Sequence, residues 1–171
     1  MFCTTPDAKR VQTPGYEPKL RAMSEVIISI RDPYYDMIAK GTKTYEFRRR
    51  WSLPSARAII YRSGSKRHIC ASMDLGGPIR GSASQLRAIA DNMPSGCGSD
   101  IEKYVATARG GGCGMPITNF VEFEPISLDE MRTLGVKPPQ HFTYLHKYPK
   151  LKELIDDRLY KSGIKDEPAA K

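Results

Sequence analysis

Lys43, Glu46 and Arg48, in the stretch GTKTYEFRRR (residues 41–50), have the types and spacing to do chemistry together. An ammonium is a point charge suited to phosphate, and a guanidinium is a planar fork that stacks on a base or grips a phosphate. A carboxylate between them accepts hydrogen bonds, for instance from a base amino group, or serves as a general base. Gly41, just ahead of them, lets the chain turn sharply and brings backbone close to a ligand. Strand side chains alternate, so Glu46 and Arg48 share one face, about 7 Å apart by backbone rise, and Tyr45 and Phe47 share the other. Lys43 joins Glu46 and Arg48 only if the strand begins after it. The three can bridge one small polar ligand, or they can close on each other as a structural ion pair on a barrel rim, since such pairs also perturb carboxylates.

Other reactive residues do not assemble in this way. His141 and His146 are five apart and fall on opposite faces of a strand, while His68 stands alone, so no zinc spacing arises. Cys3, Cys70, Cys97 and Cys113 include no CxxC pair and read as reduced thiols. The glycine-rich pieces GCGSDI and RGGGCG match neither a dinucleotide fingerprint nor a P-loop and read as flexible loops, which can still flank a ligand. No nucleophile elbow or Cys/His pair stands out. No metal and no cofactor are expected.

The chain has 171 residues and a net charge of +8, and the excess is concentrated. Residues 31–67 hold ten Lys/Arg against three acids, while the remaining 17 bases and 16 acids nearly cancel. Such a field favours a polyanion, either nucleic acid or an anionic membrane surface. Arg49, Arg50, Arg62, Lys66 and Arg67 are the candidate contacts to a nucleic-acid backbone. No apolar run reaches the roughly 18–20 residues that cross a bilayer, and the N-terminus has no signal-peptide core. A cytoplasmic or nuclear protein with no membrane partner is the expectation.

The elements that must position these groups follow from periodicity and punctuation. Residues 1–24 are polar and Pro-rich and read as a disordered lead-in. EVIISI (25–30) is a strand. DPYYDMIAKG is a helix with Asp32 as candidate N-cap, Pro33 at its first position, Gly41 as its stop and an apolar stripe of Tyr34, Met37 and Ile38. Strands are expected over 43–51, 56–63, 67–81 (broken at Gly76-Gly77-Pro78) and 114–128, with a last one within 138–145. Helices are expected over 82–93, from a Ser99 cap to the glycines at 110–112, over 127–135 with a Ser-x-x-Glu capping box, and over 148–163. Residues 164–171 are a polar tail, expected to be disordered. Strands interleaved with short helices and many breaks suggest one α+β domain over residues 25–147, a small mixed β-barrel with short flanking helices, followed by the amphipathic helix.

Three stretches carry a resemblance to a known family: IISIRDPYYDMIAKGTKTYEFRRR, AIIYRSGSKRHICASMDLGGPI and PISLDEMRTLGVKPPQHFTYL. In that order, over about residues 25–146, they resemble the ASCH domain (activating-signal-cointegrator homology), and most of all its stand-alone microbial members, often labelled predicted transcriptional regulators. The most specific motif is Gly-x-Lys-x-x-Glu-x-Arg, here Gly41, Lys43, Glu46 and Arg48; Pro138-Pro139-Gln140 supports the same subgroup. The resemblance implies a PUA-like β-barrel with a cleft beside the motif strand, and a partner that is RNA, another single-stranded nucleic acid or a modified nucleoside. It also implies an alternative. One bacterial relative is an acetylcytidine amidohydrolase using Lys, Thr and a downstream Glu, and some members are nucleases. Lys43 matches that Lys and would be catalytic with Glu46, but Glu46 stands where the enzyme has Thr.

Overall fold

The computed structural model describes residues 23–163, so the expectations for residues 1–22 and 164–171 fall outside the described residues. The elements in chain order are β1 (Ser24–Arg31), α1 (Asp32–Ala39), β2 (Tyr45–Arg48), β3 (Ala56–Ser63), β4 (His68–Leu75), β5 (Ile79–Gly81), α2 (Ala83–Asp91), α3 (Gly98–Ala106), β6 (Gly112–Ser127), α4 (Leu128–Thr133), β7 (Phe142–Tyr144), a 3-10 turn (Leu145–Lys147) and α5 (Pro149–Lys161).

The continuous apolar run in β1 marks a strand covered on both faces. Val26, Ile28 and Ile30 enter one core and Ile27 another. β1 pairs in parallel with β3, from Ser24 opposite Ala56 to Arg31 opposite Ser63. The strand order is β2-β6-β4-β3-β1-β7, with β5 also on β6. The 16-residue β6 pairs with β2 and β5 through its first residues and with β4 through the rest. Register shifts on β3–β4 and β4–β6 bend the ladder, as bulges do. The sheet curls into a half-barrel, an α+β architecture of the PUA-like type. β2 and β7 form the two ends of the strand order and approach across an open seam.

Helices cover the curled sheet on separate sides. Tyr35 and Ile38 of α1 pack with Trp51, Ile60, Met73 and Met115. Met131 of α4 and Leu151, Ile155 and Leu159 of α5 pack on Ile59, Ile69 and Ile126. Leu86 and Ala90 of α2 and Ile101 and Val105 of α3 pack around Phe47. No helix among the described residues is long and apolar enough to cross a membrane.

Several local expectations are corrected. β2 is four residues rather than nine, and β7 is three. β1 begins at Ser24, inside the stretch read as lead-in. Asp32 is the first helical residue of α1, not its N-cap; its carboxylate instead accepts from Arg62 and from Ser65. Ser99 does not cap α3, which starts a residue earlier after Cys97. The buried stripe of α1 is Tyr35 and Ile38, leaving Tyr34 half-buried. Tyr45 and Phe47 anchor β2 against α2 and α3, outside the barrel core. Ser82 and Ser127 do carry full capping boxes, with Gln85 and Glu130.

Candidate functional site

The site begins at the end of α1. Gly41 has a φ of +70°, a left-handed conformation that glycine adopts without strain. Its N–H donates to the Ile38 carbonyl, and the N–H groups of Thr42 and Lys43 both donate to the Met37 carbonyl, at 2.9 and 3.1 Å. The helix end is thereby closed and the chain folded back into β2. Lys43 precedes that strand, so strict alternation does not govern it.

Lys43, Glu46 and Arg48 come together and are 3%, 6% and 7% exposed. The Lys43 Nζ donates to Glu46 Oε2 at 2.7 Å and to the Tyr45 carbonyl at 2.5 Å. Arg48 Nε donates to Glu46 Oε1 at 2.8 Å. The rest of the Arg48 fork reaches across the seam, to the carbonyls of Ser29 in β1 (3.1 Å) and of His141 just before β7 (3.4 Å). Arg48 thus ties the two ends of the half-barrel together. Burial pushes the Glu46 carboxyl up, but the charges and hydrogen bonds of Lys43 and Arg48 outweigh it and hold the group below its ordinary range. Two cations share one carboxylate, so the buried cluster keeps one uncompensated positive charge.

The cluster lies in the wall of a cleft of about 400 Å³ between β1, β2, α1 and α3. That is a size suited to a nucleoside or similar small molecule. Four cationic side chains line it (Arg31, Lys43, Arg48 and Arg49) against two carboxylates, Glu46 and Asp100. Tyr34 and Tyr104 supply aromatic surface. Tyr104 is exposed, and the Arg49 guanidinium stacks over its ring at 4.5 Å while Arg49 Nε donates to its carbonyl at 3.0 Å. Burial, before the nearby charges, raises the Tyr34 phenol above its usual range. His141 sits beyond the seam, its pKa lowered by burial and then by Arg48.

The other candidate residues disperse. Gly41 shapes the turn and does not line the cleft. Arg49 and Arg50 are exposed, and both border a second pocket. Arg62 is bound to Asp32 at 2.6 Å and Asp36 at 2.9 Å and stacks on Tyr35. Lys66 and Arg67 are exposed in the β3–β4 turn, away from both concavities. Among the described residues no group of three or more His, Cys, Asp or Glu could hold a metal ion. Sequence reasoning missed Arg31, Tyr34, Asp100 and Tyr104. Periodicity gives no signal for them, because their meeting depends on how α1 and α3 dock beside the end of β1.

Neither a family model nor a curated protein matches the sequence. Solved structures do. A crystal structure of an ASCH protein from Zymomonas mobilis is 25% identical with a TM-score of 0.67, over 78% of this chain and 94% of that one. A variant of the same protein gives 24% identity and the same TM-score, over 77% and 95%. The N-terminal domain of Staphylothermus marinus McrB has a TM-score of 0.50 at 14% identity, over 84% and 99%.

Proposed function

We propose that this chain, an ASCH domain protein by its fold, is a nucleic-acid-binding module whose cleft holds one nucleotide of RNA or of another single strand. The observation that carries this reading is the buried Lys43–Glu46–Arg48 cluster, with its surplus positive charge, in the wall of a nucleoside-sized cleft. A buried unmatched charge is costly, and an anionic ligand offsets it. Tyr34 and Tyr104 offer ring surface for a base, and stacking on aromatic side chains is the common way to hold an unpaired base. Arg31 and Arg49 at the same cleft suit the adjoining phosphate.

A hydrolase would ask Glu46 to take up a proton. Held ionised by two cations and with both oxygens engaged, it is a poor base. Lys43 is likewise committed to Glu46 and the Tyr45 carbonyl. Binding asks of this cluster only its charge and its rigidity, and we favour it.

The test is fluorescence anisotropy with a labelled single-stranded RNA at low salt, comparing the natural chain with Y104A and R31A. Both side chains are exposed and leave the core intact. Loss of a stacked base is expected to weaken binding by about 1–3 kcal/mol for Y104A. Unchanged affinity in both variants would refute the cleft as the binding site. Incubation with RNA and with acylated cytidines, followed by chromatography, is expected to show no turnover.

A further inference from the structure

A second concavity of about 430 Å³ shares Arg49 with the cleft. Arg50, Arg80 and Arg109 complete a set of four arginines around it, and no carboxylate lines it. Elsewhere Arg57, Arg62, Arg87, Arg132 and Arg158 each pair with an Asp or Glu. These four are not in such pairs among the described residues: Arg49 and Arg80 donate only to carbonyls, of Tyr104 and Trp51. Four arginines thus line one concavity with no carboxylate beside them among the described residues, and their like charges raise its affinity for an anion.

The rest of the wall suits a phosphate. Gly110 and Gly111 have φ of +89° and +85°, so the loop after Arg109 keeps a left-handed path that brings bare backbone to the pocket. A Cβ on Gly111 would lie 2.3 Å from the Gly81 carbonyl oxygen, so no side chain fits there. Trp51 forms another part of the wall, and its buried indole N–H has no acceptor among the described residues. Phe142, also in the wall, begins a row of rings that continues through Tyr144 to His146, with centroids 5.6 and 5.2 Å apart. Phe142 and Tyr144 are half-buried against the core and His146 is exposed, so what ties the pocket to a strand is Arg49, which lines the cleft as well.

We propose that this arginine pocket is a phosphate-binding subsite for the phosphodiester next to the nucleotide in the cleft, so that the ligand is an oligonucleotide and not a free nucleoside. The inference rests on the nucleic-acid reading of the cleft given above.

The test is anisotropy with a labelled single-stranded RNA hexamer at 50–200 mM monovalent salt, using R109A, the double variant R50A/R109A and the control R132A. Arg50 and Arg109 are exposed, and Arg132 is an exposed arginine on α4 that borders neither pocket. Near-UV circular dichroism checks that each variant is folded. One lost phosphate contact lowers single-strand affinity about 5-fold at 100 mM salt and reduces the salt slope by about 0.7. R50A/R109A is expected to lose about 25-fold, with the slope reduced by about 1.4. R132A is expected to bind as the natural chain does. If the natural chain binds the hexamer but the double variant keeps its affinity and slope, the subsite is refuted and the cleft reading stands. An equal loss in R132A would also refute it, because a diffuse field would then explain the effect. If the natural chain shows no binding at 50 mM salt, the cleft reading fails and takes the subsite with it.

Discussion

Each oxygen of Glu46 serves a different cation, Oε2 taking Lys43 and Oε1 taking Arg48. With so little of the cluster exposed, breaking it by removing one partner is more damaging than replacing all of it. E46Q keeps the shape and removes the charge, leaving Lys43 and Arg48 buried together. It is expected to cost about 3–5 kcal/mol in urea unfolding. The pH dependence has a fixed sign. The folded carboxyl lies below its ordinary 4.5, because the two cations overcome the upward push of burial. Ionised Glu46 therefore favours folding above that ordinary value, and the contribution is lost as pH falls through the lower folded value. Stability of the natural chain is expected to fall more steeply than that of E46Q as the pH drops below that ordinary value; parallel acid limbs would contradict the arrangement. At this scale the sequence was informative about which residues meet, since residue type and spacing singled out Lys43, Glu46 and Arg48. Whether they close on each other or open to a ligand was not legible, because alternation along one strand says nothing about what covers it. The structure combines the two: the carboxylate is closed between its cations and the cluster still borders a cleft.

β2 carries that cluster, and Tyr45 and Phe47 hold its other face against α2 and α3. Phe47 lies over Gly114 of β6, where an added Cβ would stand 2.9 Å from the ring. G114A is expected to cost about 1–3 kcal/mol by overpacking, read as a lower denaturant midpoint, and to weaken RNA binding because β2 shifts. A variant as stable as the natural chain would contradict this packing. Elements with local instructions were legible. Ser127 with Glu130 forms the capping box that its spacing implies, and S127A is expected to cost about 1 kcal/mol in thermal or urea unfolding. Elements governed by distant partners were not. Asp32 is drawn from a capping role by Arg62, thirty residues later, and by Ser65. β2 ends at Arg48, opposite Cys113, although β6 runs one residue further to Gly112.

Across the whole molecule, the parallel β1–β3 pair and the double use of β6 bring together segments far apart in sequence, and neither periodicity nor turn residues encode such pairings. The barrel was legible only in class, with its PUA-like form supplied by family resemblance. Charge was misleading in part. The basic segment includes Arg62, which is consumed by Asp32 and Asp36, while Arg80 and Arg109, outside it, face an open pocket. R62A is therefore expected to lower stability and leave RNA affinity within about two-fold, a change too small for a lost phosphate contact. With about five phosphates neutralised, affinity for a single strand is expected to fall about 10²-fold between 50 and 200 mM salt; a flat profile would count against phosphate binding. The most direct measurement is an amide NMR titration of the natural chain with a single-stranded RNA hexamer at low salt. Binding at the cleft predicts the largest shifts at Ser29, Arg31, Tyr34, Lys43–Arg49 and Tyr104. Shifts confined to the α4–α5 side of the sheet, or no shifts at saturating RNA, would contradict it.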